Sequence, residues 1–177
     1  MPEYTLEPAN IGDIHAIVRI VNDAYRGNDG KVGWTSEMGL VQGQRVNTSV
    51  ISRMLRQENP KIYVMRDKQT RRIVATICLD RFSPVATEIG MLSVDVELQG
   101  SGLGKRILAA TEDRLRSVGC LNARMSVIEA RTELVAWYVR RGFLPTGDYI
   151  DFPYDDESVG IPLRDGLRFI VLEKILN

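Results

Sequence analysis

The stretch Val94-Asp95-Val96-Glu97-Leu98-Gln99-Gly100-Ser101-Gly102-Leu103-Gly104-Lys105 decides how this chain is read. It reads as a strand end, a glycine-rich turn and the first turn of a helix. Such a junction leaves several backbone N–H groups unpaired at the positive end of a helix dipole. A turn of this kind is a seat for phosphate. Gly100, Gly102 and Gly104 permit φ > 0 and let a ligand approach the backbone closely. The turn therefore points to a phosphate-bearing ligand. The blander reading is a tight turn whose glycines serve geometry alone.

Two familiar phosphate patterns fail here. A nucleotide-triphosphate loop needs G-x-x-x-x-G-K-[ST]. With Gly104-Lys105 as its end, the first position is Gln99 and the last is Arg106. A dinucleotide fingerprint needs G-x-G-x-x-G, and here Lys105 stands where the third glycine belongs. A third pattern, Q/R-x-x-G-x-G/A, is met by Gln99, Gly102 and Gly104.

The 177 residues suit one domain, 1–177, without repeat or linker. The composition is 44% hydrophobic and 26% charged, with 23 basic and 23 acidic residues. That balance supplies no general attraction to nucleic acid or to a membrane surface. No signal peptide or membrane-length apolar run is evident, so a cytoplasmic protein is expected. Cys78 and Cys120 sit in apolar contexts without metal-ligand spacing and read as buried thiols in a reducing compartment. No metal site is expected.

Along the chain, Tyr4 to Glu7 reads as a strand. Ile11 to Tyr25 reads as an amphipathic helix with Ile14, Ile17, Val18, Val21 and Tyr25 inward and His15 solvated. Arg26 to Glu37 reads as a loop. A second helical region runs to about Gln57, its last part capped by Asn47 or Thr48, with Val50, Ile51, Met54 and Leu55 as its apolar face. Ile62 to Arg66 and Ile73 to Leu79 form a hairpin around the turn 67–71. Glu88 to Asp95 is a strand that runs into the glycine loop. Gly102 to Val118 is a helix with Leu103, Ile107, Leu108, Thr111, Leu115 and Val118 inward, closed by Gly119. Asn122 to Ile128 is a strand and Thr132 to Arg141 a helix stopped by Gly142. Phe143 to Thr146 and Leu167 to Glu173 complete the sheet as an antiparallel pair. The class is α/β (α+β), a mixed sheet with helices.

The third phosphate pattern resembles the pyrophosphate loop of the GNAT superfamily of acetyl-CoA-dependent N-acetyltransferases. A second stretch, Glu133-Leu134-Val135-Ala136-Trp137-Tyr138-Val139-Arg140-Arg141-Gly142-Phe143, resembles the family's ending A-x-x-x-Y-x-x-x-G-F. Tyr25-Arg26-Gly27, Gly33-Trp34-Thr35-Ser36-Glu37 and Gly43-Gln44-Arg45 resemble a bacterial subgroup of the same family. The order of elements fits the GNAT fold over nearly the whole chain. The resemblance implies a central sheet of about six to seven strands with about four helices, splayed at the strand that carries acetyl-CoA.

It implies acetyl-CoA as acyl donor and a primary amine on a small molecule or peptide as acceptor, with direct transfer in a ternary complex. The pantetheine arm would pair with the strand from Met91 through Leu92, Ser93 and Val94. The pyrophosphate would sit on Gln99, Gly100, Ser101, Gly102, Leu103, Gly104 and Lys105. Arg141 joins the cofactor set. So does Arg131, which stands seven residues before Tyr138, where many members carry Asn. A guanidinium can still reach a phosphate.

Tyr138 is the expected acid for the departing thiolate, against the reading of a core aromatic. Glu88, eleven residues before Gln99, is the expected base, against the reading of an exposed strand glutamate. Glu37 is its rival from the acceptor side. Asp95 and Glu97 are read as shaping the turn, and Trp137 as packing. Tyr25, Trp34, Glu37 and Arg45 are expected to bind the acceptor, with the loop from Phe152 to Pro162 closing over it. Asp151, Asp155, Asp156 and Glu157 offer acidic attraction or a solvated face. Arg66, Lys68, Arg71 and Arg72 read as a soluble hairpin edge. Sheet-edge pairing between subunits leaves a homodimer open. The rival function is a non-catalytic acyl-CoA sensor on the same fold, and a further enzyme reading is a nucleotide-binding transferase.

Overall fold

The computed structural model describes residues 3–27, 33–81 and 83–177. Part of the expected 26–37 loop therefore lies outside the described residues. The elements in chain order are β1 (Tyr4–Pro8), α1 (Ile14–Arg26), β2 (Val41–Gln42), α2 (Thr48–Leu55), β3 (Lys61–Asp67), β4 (Ile73–Arg81) and β5 (Ala86–Val94). Then come α3 (Leu103–Ser117), β6 (Asn122–Ile128), α4 (Thr132–Val139), β7 (Leu144–Asp151), β8 (Ile161–Pro162) and β9 (Arg168–Ile175).

Seven strands form one sheet in the order β1-β3-β4-β5-β6-β9-β7. Its neighbours are antiparallel except β5 and β6, which α3 joins as a parallel pair. The strand period of two splits the core into two layers. Ile62 and Val64 of β3 turn to α1 and α2, where they meet Ile17, Ile20, Val21 and Ile51. Tyr63 and Met65 turn the other way, into the cluster of Leu103, Ile107 and Leu108 from α3 and Leu134 and Tyr138 from α4.

Local signals place the helices. Asn10 and Asp13 form a capping box ahead of α1. The Asn47 side chain accepts the Val50 N–H at 2.9 Å and starts α2. The helical region expected before Asn47 is corrected: Val41–Gln42 is a short strand that pairs with β8. Only eight residues, Thr48–Leu55, are helical. A second correction concerns Val118, which is the C-cap of α3 and exposed rather than inward. On α1 the fully buried residues are Ile17, Ile20, Val21 and Ala24, so the stripe is rotated from the expected Val18 and Tyr25. His15 is exposed, and both cysteines are free and buried.

The sheet opens in the middle. β5 and β6 are paired only at Ala86–Asn122, Thr87–Ala123 and Glu88–Arg124. Beyond that point the β4–β5 register shifts, and Met91 takes a left-handed φ of 49°. This bulge bends β5 away from β6. Asp95 secures the far end of β5. Its buried carboxylate accepts from Arg19 of α1 at 3.0 Å, Arg72 at 2.8 Å and the Glu97 N–H at 3.1 Å.

Burial alone would raise the Asp95 carboxyl pKa. The hydrogen bonds from Arg72, Arg19 and the Glu97 N–H outweigh it and hold the carboxyl below its usual range. A depressed carboxyl pKa gives stability that is present above the unfolded value of about 3.9 and lost as pH falls through the folded value. Asp95→Asn is expected to cost about 1–3 kcal/mol, the arginines being half-exposed. Urea unfolding between neutral pH and the acid range checks both points: the loss should be full at neutral pH and should shrink as wild-type Asp95 becomes protonated.

Candidate functional site

The glycine turn takes the conformation its sequence requires. Gly100 and Gly102 lie at φ of 81° and 82°, and Gly102 caps α3 in the left-handed region. The helical ladder begins with the Arg106 N–H on the Gly102 carbonyl at 3.1 Å. The N–H groups of Leu103, Gly104 and Lys105 therefore stand ahead of the ladder. They border a cavity of about 550 Å³ walled by Leu92, Val94 and Leu98 on one side and Leu134, Trp137 and Tyr138 on the other. Gly104 faces the Trp137 ring across this slot: a Cβ there would stand in van der Waals contact, 3.5 Å from the ring, and a longer side chain would enter the slot. Arg141 also borders the slot, stacked 3.4 Å from the Trp137 ring centre and donating to the Trp137 carbonyl at 2.7 Å.

A second cavity of about 400 Å³ occupies the fork where β5 and β6 part. Glu88 to Leu92 and Met125 to Ile128 form its floor, and Tyr25, Glu37, Arg45 and Arg131 stand in its wall. Thr35, Leu92, Leu134 and Tyr138 line both cavities. Tyr138 is thus the partition between them. It is held edge-on by Trp137 and Phe143, with centroids 5.0 and 6.0 Å away. Burial, together with the neighbouring Tyr25, pushes the Tyr138 hydroxyl pKa far up, and burial pushes Tyr25 to about 12. Both phenols stay protonated at neutral pH.

Three carboxylates line the second cavity, Glu37, Glu88 and Asp151, and they differ in their company. Glu37 is ion-paired with Arg26, which itself donates to the Gly43 and Val159 carbonyls. Glu88 is half-buried and accepts a 3.1 Å hydrogen bond from the Ser126 hydroxyl. Asp151 lies at the rim, while Asp155, Asp156 and Glu157 are exposed outside it.

The segment 33–37 crosses the two cavities as a strap. The Trp34 N–H donates to the Gln99 side chain at 2.8 Å, and the Arg131 guanidinium donates to the Trp34 carbonyl. Gln99 also donates to the Val94 carbonyl at 3.3 Å, so its side chain ties the strap to β5. Gly33 allows the strap to touch α1, because a Cβ there would stand 2.4 Å from the Ala24 carbonyl oxygen.

The expected site residues separate accordingly. Leu92, Val94, Gln99, Gly100, Gly102, Leu103, Gly104, Lys105, Tyr138 and Arg141 border the first cavity. Trp34, expected with the acceptor, also borders the first. Arg131, expected with the cofactor, borders the second with Tyr25, Glu37, Arg45 and Glu88. Two serines border neither: Ser93 is fully buried and donates to the Met91 carbonyl, and Ser101 donates to the Leu98 carbonyl. Sequence reasoning missed Thr35, Ser126 and Arg26. Ser126 was within reach of a register argument, since it follows Arg124 by one strand period and Arg124 lies opposite Glu88.

Among the described residues no group of three or more His, Cys, Asp or Glu is placed to hold a metal ion, and no helix is long and apolar enough to cross a membrane. Residues 15–143 match the family model described as acetyltransferase (GNAT) family. No curated protein matches the chain. Solved structures share the fold. A protein suggested to be a phosphinothricin N-acetyltransferase superposes with TM-score 0.72 at 15% identity, covering 99% of each chain. The ribosomal-protein-S18-alanine N-acetyltransferase from Escherichia coli gives 0.69 at 14% identity, covering 99% of this chain and 95% of that one. A GNAT family acetyltransferase from Elizabethkingia anophelis, with acetyl-CoA bound, gives 0.62 at 15% identity over 98% of each.

Gly33→Ala should displace the strap, because the obstructing atom is backbone and cannot rotate away. The expected outcome is a loss of about 1–3 kcal/mol in stability, with a red shift of Trp34 emission as its peptide leaves Gln99 and Arg131. Denaturant melts and fluorescence, read in a Trp137→Phe background so that one indole reports, check this; unchanged emission would show that the strap tolerates the side chain.

Proposed function

The chain belongs to the GNAT acetyltransferase family, and from that premise we propose that it moves an acetyl group from acetyl-CoA to a primary amine of a small molecule or peptide, by direct transfer in a ternary complex. The observation that carries this reading is the shared wall: Tyr138, Leu92, Leu134 and Thr35 border both cavities, so a donor slot and an acceptor pocket open on one another inside one fork.

The donor slot fits an elongated phosphate-bearing ligand. The β6-facing edge of β5 beyond Glu88 has no strand partner, which leaves peptide groups near Leu92 and Val94 to pair with an amide-containing arm. The N–H groups ahead of the α3 ladder suit the pyrophosphate, with Lys105 adding positive charge. Acetyl-CoA, when bound, supplies an acyl carbon activated as a thioester.

The remaining work falls to side chains. A lysine-like amine has an unperturbed pKa of about 10.4 and must lose a proton before it attacks. Glu88 is the base, directly or through a water, and passes the proton to solvent through the open pocket. Glu37 is the poorer base, because its carboxylate is already committed to the Arg26 guanidinium. Tyr138, protonated at neutral pH, donates a hydrogen bond to the leaving sulfur and then the proton that the sulfur requires, and regains a proton from solvent when the products leave.

The first measurement is a thermal-shift comparison of acetyl-CoA, CoA, ATP and NADH. A ligand at 100 times its Kd adds about 2.7 kcal/mol, so acetyl-CoA and CoA should raise Tm and the other two should not. A response to ATP alone would redirect the glycine loop to nucleotides. CoA binding without turnover of any amine in a broad panel would leave a binding module. Gly104→Leu should fill the slot beside Trp137 and abolish the CoA shift while the protein stays folded by circular dichroism.

Tyr138→Phe should lower kcat by about 10²–10⁴-fold with little change in acetyl-CoA Kd. Full activity in that variant would remove Tyr138 from the acid role. Glu88→Gln should lose rate most steeply at pH values below the amine pKa, and an unchanged pH–rate profile would remove Glu88 as base.

A further inference from the structure

The second cavity is lined by charges of both signs: two arginines, and three carboxylates of which Glu37 is already ion-paired. Arg45 and Arg131 both face it. Among the described residues neither guanidinium is ion-paired. Arg45 lies over the Tyr25 ring, 5.5 Å from its centre. One terminal nitrogen of Arg131, Nη2, donates to the Trp34 carbonyl. The other, Nη1, is buried and meets no hydrogen-bond partner. An unmatched buried donor on a charged group is costly and rare.

The acidic groups nearby do not answer it. Glu37 is committed to Arg26. Glu133, on the exposed first turn of α4, acts on Arg131 only at a distance. Glu88 stands with Ser126 on the strand floor. Asp151 sits at the rim, within the field of Arg168. With Glu37 neutralised, the pocket holds Glu88 on its floor, Asp151 exposed at its rim and two guanidinium groups without an ion pair in its wall. A polycationic amine would meet repulsion on the side of Arg45 and Arg131. A ligand with an ammonium at Glu88 and an anion at Arg131 would meet complementary charge at both ends.

We infer that the acceptor is an amino-acid-like zwitterion, whose carboxylate is held by Arg131 with help from Arg45 while its amine faces Glu88. The inference rests on reading the second cavity as the acceptor pocket. The planar fork of a guanidinium matches a carboxylate in two hydrogen bonds, which a lysine cannot do. Much of the remaining wall is apolar, with Met125, Val127, Ile150, Val159 and Phe169, and a cavity of about 400 Å³ leaves room for one side chain.

The test is a binding titration that does not depend on turnover. Wild-type protein saturated with CoA is titrated by thermal shift with N-acetyl-leucine, N-acetyl-glutamine and N-acetyl-phenylalanine, each against its C-terminal amide, and with N-acetylspermidine. At least one acid should bind ten or more times tighter than its amide. Arg131→Gln should bring that ratio near unity, Arg131→Lys should restore it in part, and each should retain the CoA shift. Should Arg131→Gln not fold, because Trp34 loses its support, Arg45→Gln must still lower the ratio. Equal binding of acids and amides, no binding by any of them, or tightest binding of N-acetylspermidine would overturn the inference. Failure of acetyl transfer would show separately, as absent turnover with the preference for acids over amides intact.

Discussion

The parting of β5 from β6 is the constraint on which the site depends. A sheet interior normally satisfies its backbone groups strand to strand. Here three residue pairs hold the parallel strands together and the pairing then stops. The bulge at Met91 costs a left-handed backbone at a non-glycine residue, yet its side chain is buried among Ile62, Val64 and Cys78. Strain of this kind persists only where the surroundings over-determine it. Two features do so. The apolar packing of α1 on one face fixes the side chain, and the Asp95 carboxylate, gripped by Arg19 and Arg72, fixes the end of the strand. The opening thus stays a permanent gap in an otherwise continuous sheet.

Once the gap exists, the two helices that flank it set its chemistry. α3 begins at the end of β5, so its unladdered N–H groups lie at the mouth of the slot. α4 begins just past β6, so Leu134 and Tyr138, one turn apart, face the opening. The strap 33–37 spans both sides. Its Trp34 peptide is gripped by Gln99 from the glycine loop and by Arg131 from the start of α4. A ligand that shifted either support would therefore be felt at the other cavity. That is a direct mechanical connection between the two halves of the proposed reaction site.

Much of this was legible in the sequence, for reasons that can be named. β6 was readable residue for residue because a short strand between Gly119 and the α4 boundary leaves little freedom in its limits. The start of α2 followed from Asn47, whose side chain can close the first turn. The glycine loop was readable because φ > 0 at Gly100 and Gly102 leaves a chemical signature in the chain. The misses are equally physical. β2 and β8 are two-residue strands that exist only through each other across a long separation in sequence, so neither has a local pattern. Val118 looks inward on a helical wheel but falls on the C-cap, where the chain leaves the helical period. Arg131 and Trp34 were assigned to each other's cavities. Both belong to the tie that crosses the partition, and sequence spacing cannot say on which side of a wall a long side chain ends.

The same limit applies to choosing a base between two glutamates. Glu37 and Glu88 are equally plausible as residues, and both reach the second cavity. Their difference lies in partners that no motif announces. Arg26, at the last turn of α1, commits Glu37 to an ion pair and is itself fixed by two backbone carbonyls. Such a carboxylate is a structural tie: protonating it would break the link between α1 and the strap. Glu88 holds one hydroxyl and otherwise faces the cavity. A base must gain a proton in each cycle without unfastening its surroundings, and only Glu88 is placed where that proton disturbs no ion pair. The role proposed for Glu88 thus follows from what Glu37 is already doing.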